Sequence, residues 1–170
     1  DRRPAAGVPA EPLDFTTPRY RGPPVGRLRI AARDRDAALL VRRRAGRFRG
    51  ACNAVESLDA AAAQRGVAAH SSGNFAQALA LAARARGIDA HLVMPSNAPA
   101  VKKHAVLGYG ARVVACEPTL AAREAALAEV LAETGATPLH PYDHDDVIAG
   151  QGTAALEMLE DVPDLDAIVA

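Results

Sequence analysis

Short apolar runs separated by alanine-rich stretches dominate the chain from Asn53 onward. The runs Val67 to His70, Ala90 to Met94, Arg112 to Cys116 and Thr137 to His140 have strand length. Between them lie segments long enough for two or three helical turns. Strands that alternate with helices of this length require right-handed crossovers and pair in parallel. An open α/β sheet of about four strands between Asn53 and Pro141 is the expected fold class.

The helices are punctuated in the sequence. Ala54 to Gln64 reads as one helix ended by Gly66, Asn74 to Arg86 as another ended by Gly87, and Ala98 to Leu107 as a third ended by Gly108. Thr119 caps a longer helix with apolar positions at Leu120, Ala121, Ala125, Leu127, Val130 and Leu131, closed by Gly135. Asp146 to Leu159 is a further helix, and Ile168-Val169-Ala170 opens one more strand.

His70-Ser71-Ser72-Gly73-Asn74-Phe75-Ala76-Gln77 sits where the first strand hands over to a helix. The first amides of a helix lack internal acceptors and face the positive end of its dipole, so such a loop can hold a carboxylate or phosphate. Gly73 lets a ligand approach the backbone, and Ser71, Ser72 and Asn74 add side-chain donors. Ser72 or Asn74 acting only as a helix cap is the competing account, which explains one polar residue but not the whole run. Ligands of parallel sheets sit beyond the carboxyl ends of the strands, and Ser71 to Asn74 occupies one such end.

Charge is balanced over the 170 residues but not along them. Residues 1–50 carry 13 Arg, no Lys and 5 acidic residues, whereas residues 51–170 carry 7 basic and 15 acidic ones. Overall neutrality argues against a nucleic-acid protein, and Arg42-Arg43-Arg44 lacks the interleaved aromatics of an RNA-binding patch. No apolar run approaches a membrane span and no secretory start is visible, so a cytoplasmic protein without membrane or nucleic-acid partners is expected. Cys52 and Cys116 follow no framework spacing and read as reduced thiols.

Residues 1–47 stand apart as an irregular Arg/Pro-rich segment. Only Leu28-Arg29-Ile30 and Ala37 to Val41 offer strand-like text there. Residues 48–142 form the expected small α/β domain carrying the loop, and 143–170 the start of an incomplete larger domain.

The octapeptide from His70 resembles the substrate loop of the serine racemase and threonine (serine) dehydratase group, fold-type II enzymes that use pyridoxal 5'-phosphate (PLP). The likeness continues through Val93-Met94-Pro95, Ala98 to Lys103, Tyr109-Gly110-Ala111, Cys116-Glu117-Pro118, His140-Pro141 and Ile148 to Thr153, in family order, over residues 48–170. The resemblance implies the small domain of a tryptophan synthase β-like fold, a three-layer open parallel sheet. It also implies PLP as cofactor, serine or threonine as substrate, and a family-like homodimer. The implied activity is β-elimination to a 2-oxo acid and ammonia, or serine racemisation.

Residue roles follow from the same resemblance. Ser71, Ser72, Gly73 and Asn74 match the loop that binds the substrate carboxylate. Asn74 matches the residue that meets the PLP 3-hydroxyl, and Ser72 the serine that exchanges the α-proton in racemases. Phe75 stands where many relatives have His and keeps a ring able to pack beside the cofactor. Gln77 could reach the ligand or simply be a solvated first-turn residue. Gln151 and Gly152 match the segment lining the mouth of the site, with a packing role for Gly152 as the alternative. Lys102 and Lys103 fall in a helix that lies near a nucleotide site in eukaryotic racemases, and a solvated helix face is the preferred reading. His140, His144, Asp145 and Asp146 lack metal-ligand spacing, and Asp145 or Asp146 serves better as a helix cap, so no metal is expected.

One departure is chemical. The family's aldimine-forming lysine precedes the segment matched by Phe48 to Val55, and here the aligned position is Arg47, after Ala45-Gly46. A Schiff base needs an amine that can lose its proton, and a guanidinium stays charged. The family's phosphate loop, the residue facing the pyridine nitrogen and the divalent-cation ligands follow the point that matches Ala170. The chain alone is therefore expected to be catalytically impaired. A natural pseudoenzyme is one explanation. The preferred one is that text upstream of Phe48 comes from a shifted reading frame of a GC-rich gene, testable by whether a frame shift in the coding DNA restores a Ser-Phe-Lys-like segment. Alternatives for the whole chain are a non-catalytic amino-acid-binding module and an inactive truncated product.

Overall fold

The structure is a computed structural model and describes residues 45–161. The expected strands at Leu28 to Ile30, Ala37 to Val41 and Ile168 to Ala170, and the arginines at 42–44, lie outside the described residues.

Ten elements follow in order: α1 (Ala45–Glu56), α2 (Ala60–Arg65), β1 (Val67–His70), α3 (Asn74–Arg86), β2 (Ala90–Pro95), α4 (Ala100–Gly108), β3 (Arg112–Cys116), α5 (Leu120–Thr134), β4 (Thr137–Pro138) and α6 (Asp145–Asp161). The strands form one parallel sheet in the order β3-β2-β1-β4. Registers are Val67 to Ala90, His91 to Arg112 and Val67 to Thr137. The α/β class with about four parallel strands is thus found as expected.

Alternation along the strands splits the core into two layers. Val67, Ala69, Leu92 and Met94 face a large cluster built with Phe48, Val55, Leu79, Val106 and Val147, that is, with α1, α3, α4 and α6. Ala68 and Val93 face the other way, onto Val130 and Ala136 with Leu127 and Leu131 of α5. Helices on both faces explain why β1 and β2 are almost wholly apolar. Helix α3 is alanine-rich because it is buried nearly all round, and Gly87 ends it in the left-handed conformation.

Local chemistry accounts for the differences from expectation. The single helix over 54–64 is two helices, because Asp59 caps α2 by accepting from the Ala62 amide at 2.7 Å. Residues 45–47, read as irregular, begin α1. That helix holds because its Gly50 packs against Val147 of α6, where a Cβ would stand 2.6 Å from the Val147 carbonyl oxygen. Helix α4 starts after Pro99 rather than at Ala98, and β4 is two residues long. Thr119 caps α5 as expected, accepting from the Ala122 amide at 3.2 Å. Asp145 and Asp146 lie inside the first turn of α6, where they suit the helix dipole, and His144 precedes it.

Candidate active site

The sheet order contains a reversal. From β1 the chain moves outward through β2 and β3, then crosses back to place β4 on the other side of β1. Adjacent strands that lead in opposite directions leave a crevice between their carboxyl ends, the usual ligand position in open parallel sheets. His70 ends β1 and His140 follows β4, and their rings meet edge to face with centroids 6.1 Å apart. The ring of Tyr142 packs edge-on against His140 at 4.4 Å. The His140 Nδ1 accepts from the Asp143 amide at 2.9 Å, which orients the imidazole.

The Ser71–Asn74 loop leaves β1 at this crevice. The Ser71 amide continues the sheet by donating to the Val93 carbonyl at 3.0 Å, and its hydroxyl accepts from the Gly73 amide at 3.4 Å. Ser72 and Asn74 are exposed on either side of a buried Gly73. Helix α3 begins with no side-chain cap, so the amides of Asn74, Phe75 and Ala76 have no acceptor within the helix. A capping role for Ser72 or Asn74 is therefore not what the structure shows. Gly73 has φ of −157° and ψ of −120°. What matters is the missing Cβ: the Lys102 Nζ of α4 lies 3.0 Å from where that atom would be.

Two expectations about neighbouring residues change. Gln77 is not a solvated surface residue: it is 3% exposed, and its Nε2 donates to the Gly73 carbonyl at 3.5 Å, bracing the loop from beneath. Lys102 and Lys103 do not form a free solvated face. Both are half-buried, and the Lys103 Nζ donates to the Ser96 carbonyl at 2.7 Å. Phe75 is 2% exposed and belongs to the main core, where its ring packs against protein.

Arg47 and Gln151, far apart in sequence, converge on one atom. The Arg47 guanidinium donates to the Pro141 carbonyl at 3.2 Å and the Gln151 Nε2 to the same oxygen at 3.5 Å. Pro141 follows His140, so the position matching the family's lysine opens onto the crevice. Gly152 is exposed with nothing within 4 Å of a Cβ, which removes a packing role for it; Gly150 is the packed glycine of α6.

Electrostatics around His70 are set by neighbours that sequence reading overlooked. Partial burial lowers its pKa, and the charges of Arg123 and His140 lower it further, against a weaker opposing effect of Glu124. Arg123 stands in the first turn of α5, where a cation opposes the helix dipole. That misplacement is the signal by which it could have been found. Burial likewise raises the thiol pKa of Cys52, helped by Glu56, and that of Cys116.

A family model described as pyridoxal-phosphate dependent enzyme matches residues 45–170. The chain belongs to the pyridoxal-phosphate-dependent enzyme family. Among its relatives in that family, a serine racemase of Arabidopsis thaliana is 52% identical over 123 residues, covering 72% of this chain and 37% of the relative. A beta-hydroxyaspartate dehydratase of Paracoccus denitrificans (strain Pd 1222) is 52% identical over 124 residues, covering 73% and 39%. The solved structure of maize serine racemase superposes with a TM-score of 0.69 at 45% identity, covering 71% of this chain and 37% of that one. The chain thus spans well under half the length of these relatives.

Enzymes of the pyridoxal-phosphate-dependent family take their reactivity from PLP, so the residues present are to be compared with that group. The loop side suits it: open amides at α3, exposed Ser72 and Asn74, and no Cβ at Gly73. The covalent side does not. Arg47 presents a guanidinium already donating to Pro141, and the sequence has lysines only at 102 and 103, both on α4. A guanidinium cannot form the imine, so these residues do not fit covalent attachment of PLP.

Proposed function

We propose that this chain is the amino-acid-gripping portion of a PLP-dependent ammonia-lyase or racemase, and that as given it binds a small amino acid without turning it over. The observation that carries this reading is the uncapped start of α3 at the crevice between β1 and β4, with Arg47 at the mouth. In this reading the amides of Asn74 to Ala76 and the hydroxyls of Ser71 and Ser72 receive the carboxylate of serine or threonine. Hydrogen bonds from charged or oriented donors to a carboxylate are strong enough to fix its position. Asn74 would meet the cofactor ring and Ser72 the α-carbon, and Gln77 holds the Gly73 carbonyl so that the loop keeps its shape. Gln151 and the exposed Gly152 border the entrance, and Phe75 supports the loop from the core.

The division at about residue 142, between a unit bearing the loop and the opening of a second unit, belongs to the same reading. So do a homodimeric assembly and a cytoplasmic setting away from nucleic acid. No helix among the described residues is long and apolar enough to cross a membrane.

Arg47 favours a second reading, a binding module without chemistry. Two measurements test what the two readings share. Incubation with PLP followed by absorbance spectroscopy is expected to give no imine band that borohydride abolishes; such a band would overturn the expected absence of covalent attachment. Calorimetry with L-serine, D-serine and L-threonine is expected to show binding that weakens at least tenfold in Ser72→Ala, given the cost of losing a hydrogen bond to a charged group. Absence of any binding by the folded wild type would defeat both readings.

A further inference from the structure

We propose that His140 is a positioning residue that closes the turn 140–143 beside the amino-acid loop while its imidazole is neutral, and that releases the turn, and with it part of the grip on the ligand, when it takes up a proton. The proposal rests on the reading of Ser71–Asn74 as the amino-acid loop. Leu139 is buried, and its amide extends the sheet by donating to the Ala68 carbonyl at 2.9 Å, so the chain is fixed up to that point. It is fixed again at the start of α6, where the Ile148 amide donates to the His144 carbonyl at 2.9 Å. Between those anchors the turn closes on one side-chain atom of its own. The His140 Nδ1 accepts from the Asp143 amide at 2.9 Å and from the Tyr142 amide at 3.5 Å.

Three observations make this contact a switch. An imidazole nitrogen accepts only through its lone pair, so Nδ1 is unprotonated here and the ring hydrogen sits on Nε2. A charged imidazole carries hydrogen on both nitrogens, and two backbone donors would then point at a third. The ring is also the middle of a row, with Tyr142 edge-on at 4.4 Å and His70 at 6.1 Å, and Ser71 of the loop follows His70 directly. The turn thus borders the ligand position through His70. Finally, the charges around the ring balance. Arg123 and Glu124 of α5 act on His70, Arg47 of α1 donates to the Pro141 carbonyl, and the turn itself carries Tyr142, Asp143 and His144. Two arginines stand against two carboxylates, so loss of the acceptor, rather than general repulsion, decides the response.

The test uses the full 170-residue chain as wild type, His140→Asn and His140→Ala, at about pH 7.5 and about pH 5.5, either side of the usual imidazole range near about 6.5. Asparagine accepts from backbone amides two or three residues onward, as Nδ1 does here, but does not titrate. NMR follows the Asp143 amide proton, which its hydrogen bond moves downfield, and calorimetry follows L-serine. In wild type the amide is expected to shift to its free value at the lower pH, and serine affinity to fall about fivefold, the worth of one neutral hydrogen bond. In His140→Asn both should hold at their higher-pH values throughout, and in His140→Ala both should be low at either pH. A wild-type Asp143 amide that ignores pH overturns the proposal, and so does a serine pH dependence that survives in His140→Asn. If either variant fails to fold, the wild-type amide still decides the turn. Wild type that binds serine equally at both pH values while the amide responds overturns the coupling to the loop, whereas wild type that binds no serine at either defeats the amino-acid reading itself.

Discussion

Gly150 of α6 approaches Arg49 of α1 so closely that a Cβ built on the glycine would stand 2.5 Å from the arginine carbonyl oxygen and 2.8 Å from the Cβ of Asn53. Gly50 makes the reciprocal approach to Val147. The two helices therefore meet backbone to backbone through a pair of glycines. Backbone atoms cannot rotate away as a flexible side chain can. Gly150→Ala and Gly50→Ala are each expected to lower stability by about 1–3 kcal/mol through overpacking, whereas Gly152→Ala, in open space on the same helix, should stabilise slightly through helix propensity. Urea denaturation of the three variants followed by circular dichroism checks this; equal midpoints would show that α1 and α6 do not pack as described.

Arg86 closes the other end of this assembly. Its guanidinium donates to the carbonyls of Val55 and, at 2.7 Å, of Leu58, tying the last turn of α3 to the break between α1 and α2. Arg86→Ala should cost about 1–3 kcal/mol, since two half-buried carbonyls lose a charged donor. Arg86→Lys should recover less than half of that, because one ammonium cannot span both oxygens in the fork geometry. Thermal melts of the two variants provide the comparison, and full recovery by lysine would contradict the two-pronged contact.

His70 gives the fold a pH dependence of defined sign. Its folded-state pKa lies below the unfolded value, so between the two the unfolded chain binds more protons and stability falls as pH falls. This contribution is intact above about pH 6.5, is lost progressively below it, and levels off once pH passes the folded pKa. His70→Gln should flatten the stability profile in that window. Arg123→Gln should reduce the slope without removing it, because burial is the larger cause. Urea midpoints measured across the acid range test both, and a steeper slope in either variant would reverse the assignment.

Gly73→Ala separates the loop's function from its stability. The nearest obstacle to the new methyl is the tip of Lys102, a flexible end that can swing aside. Stability should fall by no more than about 1 kcal/mol, the low end of overpacking costs, because the atom that must give way is the end of a flexible side chain. Amino-acid affinity should nevertheless fall at least tenfold, because the methyl occupies the approach to the α3 amides. Denaturation and calorimetry on the same preparation would show the split.

Much of this architecture is readable from residue order, and the failures have physical causes. Val67 to His70 and Ala90 to Met94 announce strands because strands covered on both faces are largely apolar, and Arg112 to Cys116, at the sheet edge and only partly buried, announces itself by its Val113-Val114 pair. Thr119 and Asn74 mark helix starts, one with a cap and one, at the site, without. Asp59 was hidden within alanine-rich text that would continue a helix on propensity alone. Residues 45–50 look irregular because Gly46, Gly50 and the arginines weaken any helical pattern, and Gly50 acquires its purpose only from α6, nearly a hundred residues away. The loop Ser71–Asn74 was legible as polar text between two apolar elements. The approach of Lys102 to Gly73 was not, since nothing local to Lys102 distinguishes it from Lys103. The convergence of Arg47 and Gln151 on Pro141 likewise depends on the reversal in strand order.

That reversal carries a kinetic consequence. Val67 and Thr137 are the partners most widely separated along the chain among the described strand pairs, so on loop-closure grounds their registration is expected to form last. Competence to hold an amino acid should therefore emerge with the slowest refolding phase, and a stopped-flow ligand signal would serve as a clock for completion of the whole sheet.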